Sequence, residues 1–159
     1  MLFVLLLLIG PKYGCNPHQR PAALYCAGEA RGGLELLHGK WGFINVLDAV
    51  NAWGLAREAA ALAGAPVATS FKHTQPAGCA VARPWAELGP ASQALLAATF
   101  GVAENAPPAV LAYARARNCD PLSSFGDFVG YSGVVEAPLA EFVGAQVQCQ
   151  TTFSLSSHQ

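Results

Sequence analysis

Residues 42–71 read GFINVLDAVNAWGLAREAAALAGAPVATSF, and the order of signals in this stretch decides the fold class. Polar Asn45, Asp48, Asn51 and Glu58 recur at three- or four-residue steps, though not at every one, amid Ala, Leu, Val and Trp53. That spacing predicts a helix. Gly64-Ala65-Pro66 ends it, because glycine accepts the left-handed turn after a helix and proline cannot prolong one. Pro66 to Phe71 then reads as a short buried strand running into a loop.

The same alternation continues outward. Ser92 to Phe100 is rich in Ala and Leu and reads as a helix. Pro107-Pro108 opens another helix carrying Tyr113, Arg115 and Arg117. A strand follows around Phe128 to Val135, then a last helix from Pro138 to about Val147. Strands alternating with helices imply an α/β protein with a mostly parallel sheet covered on both faces. No internal repeat or heptad is visible.

The two ends differ from this middle. Met1 to Ile9 is one unbroken apolar run, far too short to span a bilayer. It lacks the basic residue and small-residue cleavage site of a signal peptide. It is expected to be a buried strand or a divergent leader covering residues 1–11. Gln146 to Gln159 turns to Gln, Ser and Thr, and residues 148–159 are expected to form a frayed polar tail.

Composition narrows the function classes. Of 159 residues, 53% are hydrophobic and 12% charged, which excludes intrinsic disorder. Nine Lys/Arg against ten Asp/Glu leave a net charge of −1, so no basic field exists to grip a nucleic-acid backbone. A surface so poor in charge implies cover by a partner or by further sequence. Five cysteines at irregular spacing, with no C-x-x-C pair, argue against a disulfide framework and against structural zinc. Reduced thiols in a cytosolic protein are expected.

Polar residues gather with Gly and Pro in loops 12–19 (KYGCNPHQ), 70–78 (SFKHTQPAG) and 123–128 (SSFGDF). Ligands of α/β proteins bind outside the carboxyl ends of strands, where the second of these belongs. Lys72 and His73 place a cation and an imidazole side by side there. A neighbouring ammonium disfavours imidazolium, so His73 is expected to be neutral and able to take a proton. A solvated loop with an incidental histidine is the plainer alternative. Other chemistries lack their motifs. A zinc deaminase needs H-x-E and P-C-x-x-C, but Gln75 stands two after His73. Neither G-x-G-x-x-G, nor G-x-x-x-x-G-K-[ST], nor G-x-S-x-G occurs. Arg115 and Arg117, two apart on a helix, face different ways and read as a satisfied surface pair rather than an anion clamp.

Five stretches carry a resemblance: KYGCNPHQ (12–19), GFINVLDAVNAW (42–53), ATSFKHTQPAGCAV (68–81), AYARARNCD (112–120) and SSFGDFVGYS (123–132). In this order they resemble the transformylase half of the bifunctional purine biosynthesis enzymes, AICAR formyltransferase/IMP cyclohydrolase, over most of residues 12–147. The resemblance implies a partial, zinc-free transformylase domain of cytidine-deaminase-like three-layer α/β fold, acting in a cytosolic homodimer with no membrane or nucleic-acid partner. It implies transfer of a formyl group from the cosubstrate 10-formyltetrahydrofolate to the 5-amino group of AICAR. Lys72 and His73 match the family's catalytic pair. Lys12 and Tyr13 align with its Arg-Tyr beside the AICAR phosphate; lysine keeps the charge and loses the bidentate fork. Gly126 matches an AICAR-contacting glycine, and Asn45 a further position near the site.

Departures limit what the resemblance implies. The family's preceding cyclohydrolase domain and the folate-binding half of its transformylase have no counterpart in these residues. An Asp-Gly that follows the last helix in the family is replaced by Cys149-Gln150. A truncated or spliced, non-catalytic product that at most associates with full-length enzyme is the alternative reading.

Overall fold

A computed structural model describes residues 5–9, 13–27, 34–39, 42–146 and 151–155. The chain divides into two compact units, residues 1–47 with 149–159, and residues 48–148.

In the first unit, Leu5–Ile9 forms strand β1 and pairs antiparallel with β2, Leu24–Ala27. The apolar run is therefore a strand over its described part. Strand β3, Leu34–Gly39, pairs antiparallel with β7, Thr151–Leu155. The tail expected to fray thus contributes a strand: Thr151, Thr152 and Phe153 favour extended backbone, and β3 supplies the ladder.

Helix α1 spans Phe43–Ala63, and its residues from Asp48 onward belong to the second unit. Ala49, Ala52 and Ala56 form its buried stripe, at steps of three and four. Gly64, at φ +65, ends it, as the Gly-Ala-Pro signal requires. Strand β4, Val67–Phe71, is buried at all five positions. Strand β5 spans Pro76–Val81. After a short 3-10 turn at Trp85–Glu87 come α2, Pro90–Phe100, and α3, Pro108–Asn118, each opened by a proline in its first turn. Strand β6, Phe128–Tyr131, and helix α4, Ala137–Gln146, complete the unit.

The sheet order is β5-β4-β6, and both pairings are antiparallel. This corrects the expectation of a mostly parallel sheet. Only residues 72–75 join β4 to β5, whereas a parallel neighbour needs a crossover of about a dozen residues or more. The helical crossover inferred from the sequence does exist, through α2 and α3. It links β5 to β6, which run alike on either side of β4.

Helices contact both faces of this sheet. Toward α1, the Thr69 hydroxyl donates to the Ala52 carbonyl at 3.2 Å, and a Cβ on Gly130 would lie 2.7 Å from that same oxygen. Toward α3, a Cβ on Gly78 would stand 1.9 Å from the Ala116 carbonyl. Glycine at 78 and 130 therefore sets how closely strand and helix approach. Ala68, Leu96, Val110, Leu111, Tyr113 and Leu139 form the core under α2, α3 and α4. Phe142 sits edge-on to both Phe100 and Tyr113, at 6.0 Å each.

Candidate functional site

The tight connection between β4 and β5 carries Lys72 and His73. Lys72 N–H donates to the Gln75 carbonyl at 2.9 Å, closing the turn. Thr74 takes φ +62, a left-handed conformation that costs a β-branched residue about 1–3 kcal/mol. Asp48, from α1, accepts the Thr74 N–H at 2.5 Å and is only 4% exposed. Burial raises the Asp48 carboxyl above its ordinary value, opposed by the Thr74 hydrogen bond and by the charge of nearby His73. His73 itself is exposed to solvent.

Lys72 reaches from this turn to the loop before β6. Its ammonium donates to the Phe125 carbonyl and lies 5.6 Å from the centroid of the Phe125 ring. Gly126 follows at φ +69, and a Cβ there would sit 3.5 Å from Lys72 Nζ. The structure thus brings Lys72 and Gly126 together. Phe125 is 77% exposed, so its ring lies at the surface beside the lysine rather than in the core.

A buried polar cluster holds that loop in place. Asp127 accepts from the Tyr113 hydroxyl at 3.1 and 3.2 Å, from the Ser70 hydroxyl at 2.5 Å, and from Arg117 Nη1. Ser124 lies 2.9 Å from Ser70 through their hydroxyls. Arg117 also donates to the Tyr113 oxygen at 3.2 Å and to the Gln146 carbonyl at 3.4 Å. Three of the motif stretches, on β4, α3 and the 123–128 loop, thereby meet at one carboxylate. Arg115 and Arg117 do face different ways, since Arg115 donates to the Val81 carbonyl at 3.1 Å. Arg117 is nonetheless no surface residue: its side chain is 12% exposed and that of Asp127 is 0% exposed. The pair is buried because α3 packs against β4 and β5, and Arg117 meets Asp127 beside Ser70 of β4.

The remaining sequence-predicted residues fall in the first unit. Lys12 lies outside the described residues. Tyr13 is half-buried at the start of a loop closed by Gly14 N–H to the Gln19 carbonyl, 2.9 Å, and by Asn16 N–H to Gln19 Oε1, 2.9 Å. Asn45 Oδ1 accepts the Gly42 N–H at 2.8 Å, capping the first turn of α1 as a third-position side chain does in a capping box.

Sequence reasoning left Asp48, Ser70, Ser124 and Asp127 without roles. Each is short and polar in a stretch that otherwise reads as helix, strand or loop. Their burial, visible only in three dimensions, is the signal. Among the described residues no group of His, Cys, Asp or Glu is placed to hold a metal ion, and no helix is long and apolar enough to cross a membrane.

Chemically, the turn presents an exposed imidazole next to an ammonium held by the Phe125 carbonyl. Such a set can move a proton and stabilise developing negative charge.

Comparison with known proteins gives this arrangement a family. The chain is 34% identical to the bifunctional purine biosynthesis protein PurH of Deinococcus deserti over 134 residues, which is 82% of this chain and 21% of that protein. The PurH proteins of Deinococcus radiodurans, at 34%, and Rhizobium rhizogenes, at 32%, match over the same share of this chain. The chain spans about a fifth of the length of these relatives. The sequence model of the AICARFT/IMPCHase bienzyme family matches residues 10–149, most of the chain, and the protein belongs to that family.

Proposed function

We propose that residues 12–147 are the part of an AICAR formyltransferase that binds AICAR and supplies its proton-transfer group, within a zinc-free, cytidine-deaminase-like domain. The observation that carries this reading is the meeting of Lys72 with Phe125 and Gly126, which joins the two motif loops at the end of β4. In the reaction, the 5-amino nitrogen of AICAR bonds to the formyl carbon, and the bond from that carbon to N10 of 10-formyltetrahydrofolate breaks. The amine is conjugated with its ring and carboxamide and is a weak nucleophile. His73 takes its proton as it attacks, and the proton finally leaves with the folate nitrogen. Lys72 stabilises the oxyanion. Gly126 contacts AICAR beside the lysine, and the family resemblance assigns Lys12, Tyr13 and Asn45 as further AICAR-binding residues.

The chain covers a fifth of its relatives' length, so the folate contacts, the cyclohydrolase activity and a cytosolic homodimer belong to the reading of the whole protein. Small misplacement of reacting groups already costs about 100-fold in rate. The chain alone is therefore expected to bind AICAR without turnover. The second reading, a non-catalytic chain that associates with full-length enzyme, is favoured by Leu62, Leu122 and Val134, which stand 91%, 90% and 82% exposed.

A formyl-transfer assay with and without a full-length relative separates the two readings. In a full-length relative, replacing the histidine that matches His73 by alanine should slow transfer by about 100-fold or more. Near-normal turnover of that variant would remove His73 from the mechanism.

A further inference from the structure

Asp48 is used by neither member of the Lys72–His73 pair as a hydrogen-bond partner, yet its buried carboxylate reaches their turn. Its carboxylate comes from α1, on the other side of a connection, and it binds the backbone N–H of Thr74 at 2.5 Å. Thr74 stands at φ +62, where a β-branched residue persists only if its surroundings hold it. The residue immediately before it is His73.

We propose that Asp48 is a positioning residue: by anchoring the Thr74 N–H it holds the β4–β5 turn in its left-handed form and so fixes the direction in which His73 leaves the sheet. Glycine would take this backbone conformation without help. With threonine in its place, an external anchor is required, and the only hydrogen bond described for the Thr74 N–H is the one to Asp48. The role in catalysis rests on the reading of His73 given above; the role in the turn does not.

Three variants of the full chain test this by NMR and by titration with AICAR. Asp48→Asn keeps an acceptor oxygen at the same place, whereas Asp48→Ala removes it. In Asp48→Ala the Thr74 amide should exchange at least about 10-fold faster, as expected for loss of a buried hydrogen bond. AICAR affinity should fall by about 10-fold or more as His73 loses its direction. Asp48→Asn should hold both close to the wild-type values. The double variant Asp48→Ala/Thr74→Gly should regain AICAR affinity, because glycine accepts the positive φ without an anchor. It also decides the matter if Asp48→Ala fails to fold.

An unchanged Thr74 amide in Asp48→Ala would overturn the proposal. So would a folded double variant that binds no better than Asp48→Ala. If the wild-type chain does not bind AICAR, the substrate reading fails. The Thr74 exchange rate and the His73 ring resonances, compared between Ala and Asn variants, then decide the part played by Asp48.

Discussion

Arg117 and Asp127 form an ion pair in which the carboxylate side chain is wholly removed from solvent. Two charges taken out of water lose several kcal/mol of hydration each, and mutual attraction offsets this only when further hydrogen bonds complete the set. Ser70 and Tyr113 supply those bonds here. Removing one partner should therefore be far more harmful than the net worth of the pair. Arg117→Met is expected to lower stability by about 3–5 kcal/mol, read from urea unfolding. A loss below about 1 kcal/mol, typical of exposed pairs, would mean that water reaches Asp127.

Tyr113 should reveal the same cluster in alkaline solution. Burial pushes its hydroxyl well above the ordinary tyrosine value, and the Asp127 carboxylate adds to this, against Arg117. A raised pKa means that the native state holds this proton more tightly than the unfolded chain does. The resulting stability is complete below the ordinary tyrosine range, about pH 10, and is lost as pH rises toward the native value. Of the four tyrosines, Tyr113 is expected to ionise last and together with unfolding. Absorbance near the tyrosinate band, compared with Tyr113→Phe, checks this; the variant should lack the late component.

Gly126→Ala separates strain from collision. An added Cβ meets Lys72 Nζ at an ordinary contact distance of 3.5 Å, so space is not the obstacle. The φ of +69 is, at about 1–2 kcal/mol for an L side chain. The variant should fold with that loss in thermal stability, and its AICAR affinity should drop as the loop relaxes away from Lys72. Unchanged affinity in a calorimetric titration would take Gly126 out of the AICAR site.

Asp48 provides a test with the opposite pH direction from a paired carboxylate. Burial raises its carboxyl above the ordinary aspartate value of 3.8. The native state therefore holds this proton more tightly than the unfolded chain does. Stability linked to this group is present below pH 3.8 and is lost as pH rises through the native value. Asp48→Asn, which cannot ionise, should match or exceed the wild type in thermal midpoint at pH 7. The difference should close as the pH is lowered through the carboxylate range. A widening gap toward acid would show that the charged carboxylate is the favoured native form.

The sequence made the helices legible because their ends are marked chemically. Pro108 opens α3, Gly64 and Gly101 close α1 and α2 in left-handed turns, and each boundary sits where these residues place it. It did not make β5 legible. PAGCAV has no period-two alternation and carries proline and glycine within its first three residues, which disfavour strands. Its place is secured instead by pairing with β4 and by Gly78 fitting under α3, both nonlocal. The parallel sheet was inferred for the same reason, since overlooking β5 turned a hairpin into a loop. For the candidate site, exposed polar loops drew attention to Lys72, His73 and Gly126. The carboxylates behind them stayed hidden, because a buried aspartate and a solvated one look alike in a sequence.

The cluster around Asp127 also shapes how such a chain can change over generations. Ser70, Tyr113, Arg117, Ser124 and Asp127 lie on three separate elements, but each satisfies a polar atom of another. A substitution at one strands a charge or a hydroxyl on its neighbours, and the route to an apolar replacement passes through an intermediate less stable than either end. The five positions should therefore be inherited as a block: kept whole in lineages that keep the loop, or exchanged together in lineages that repack it.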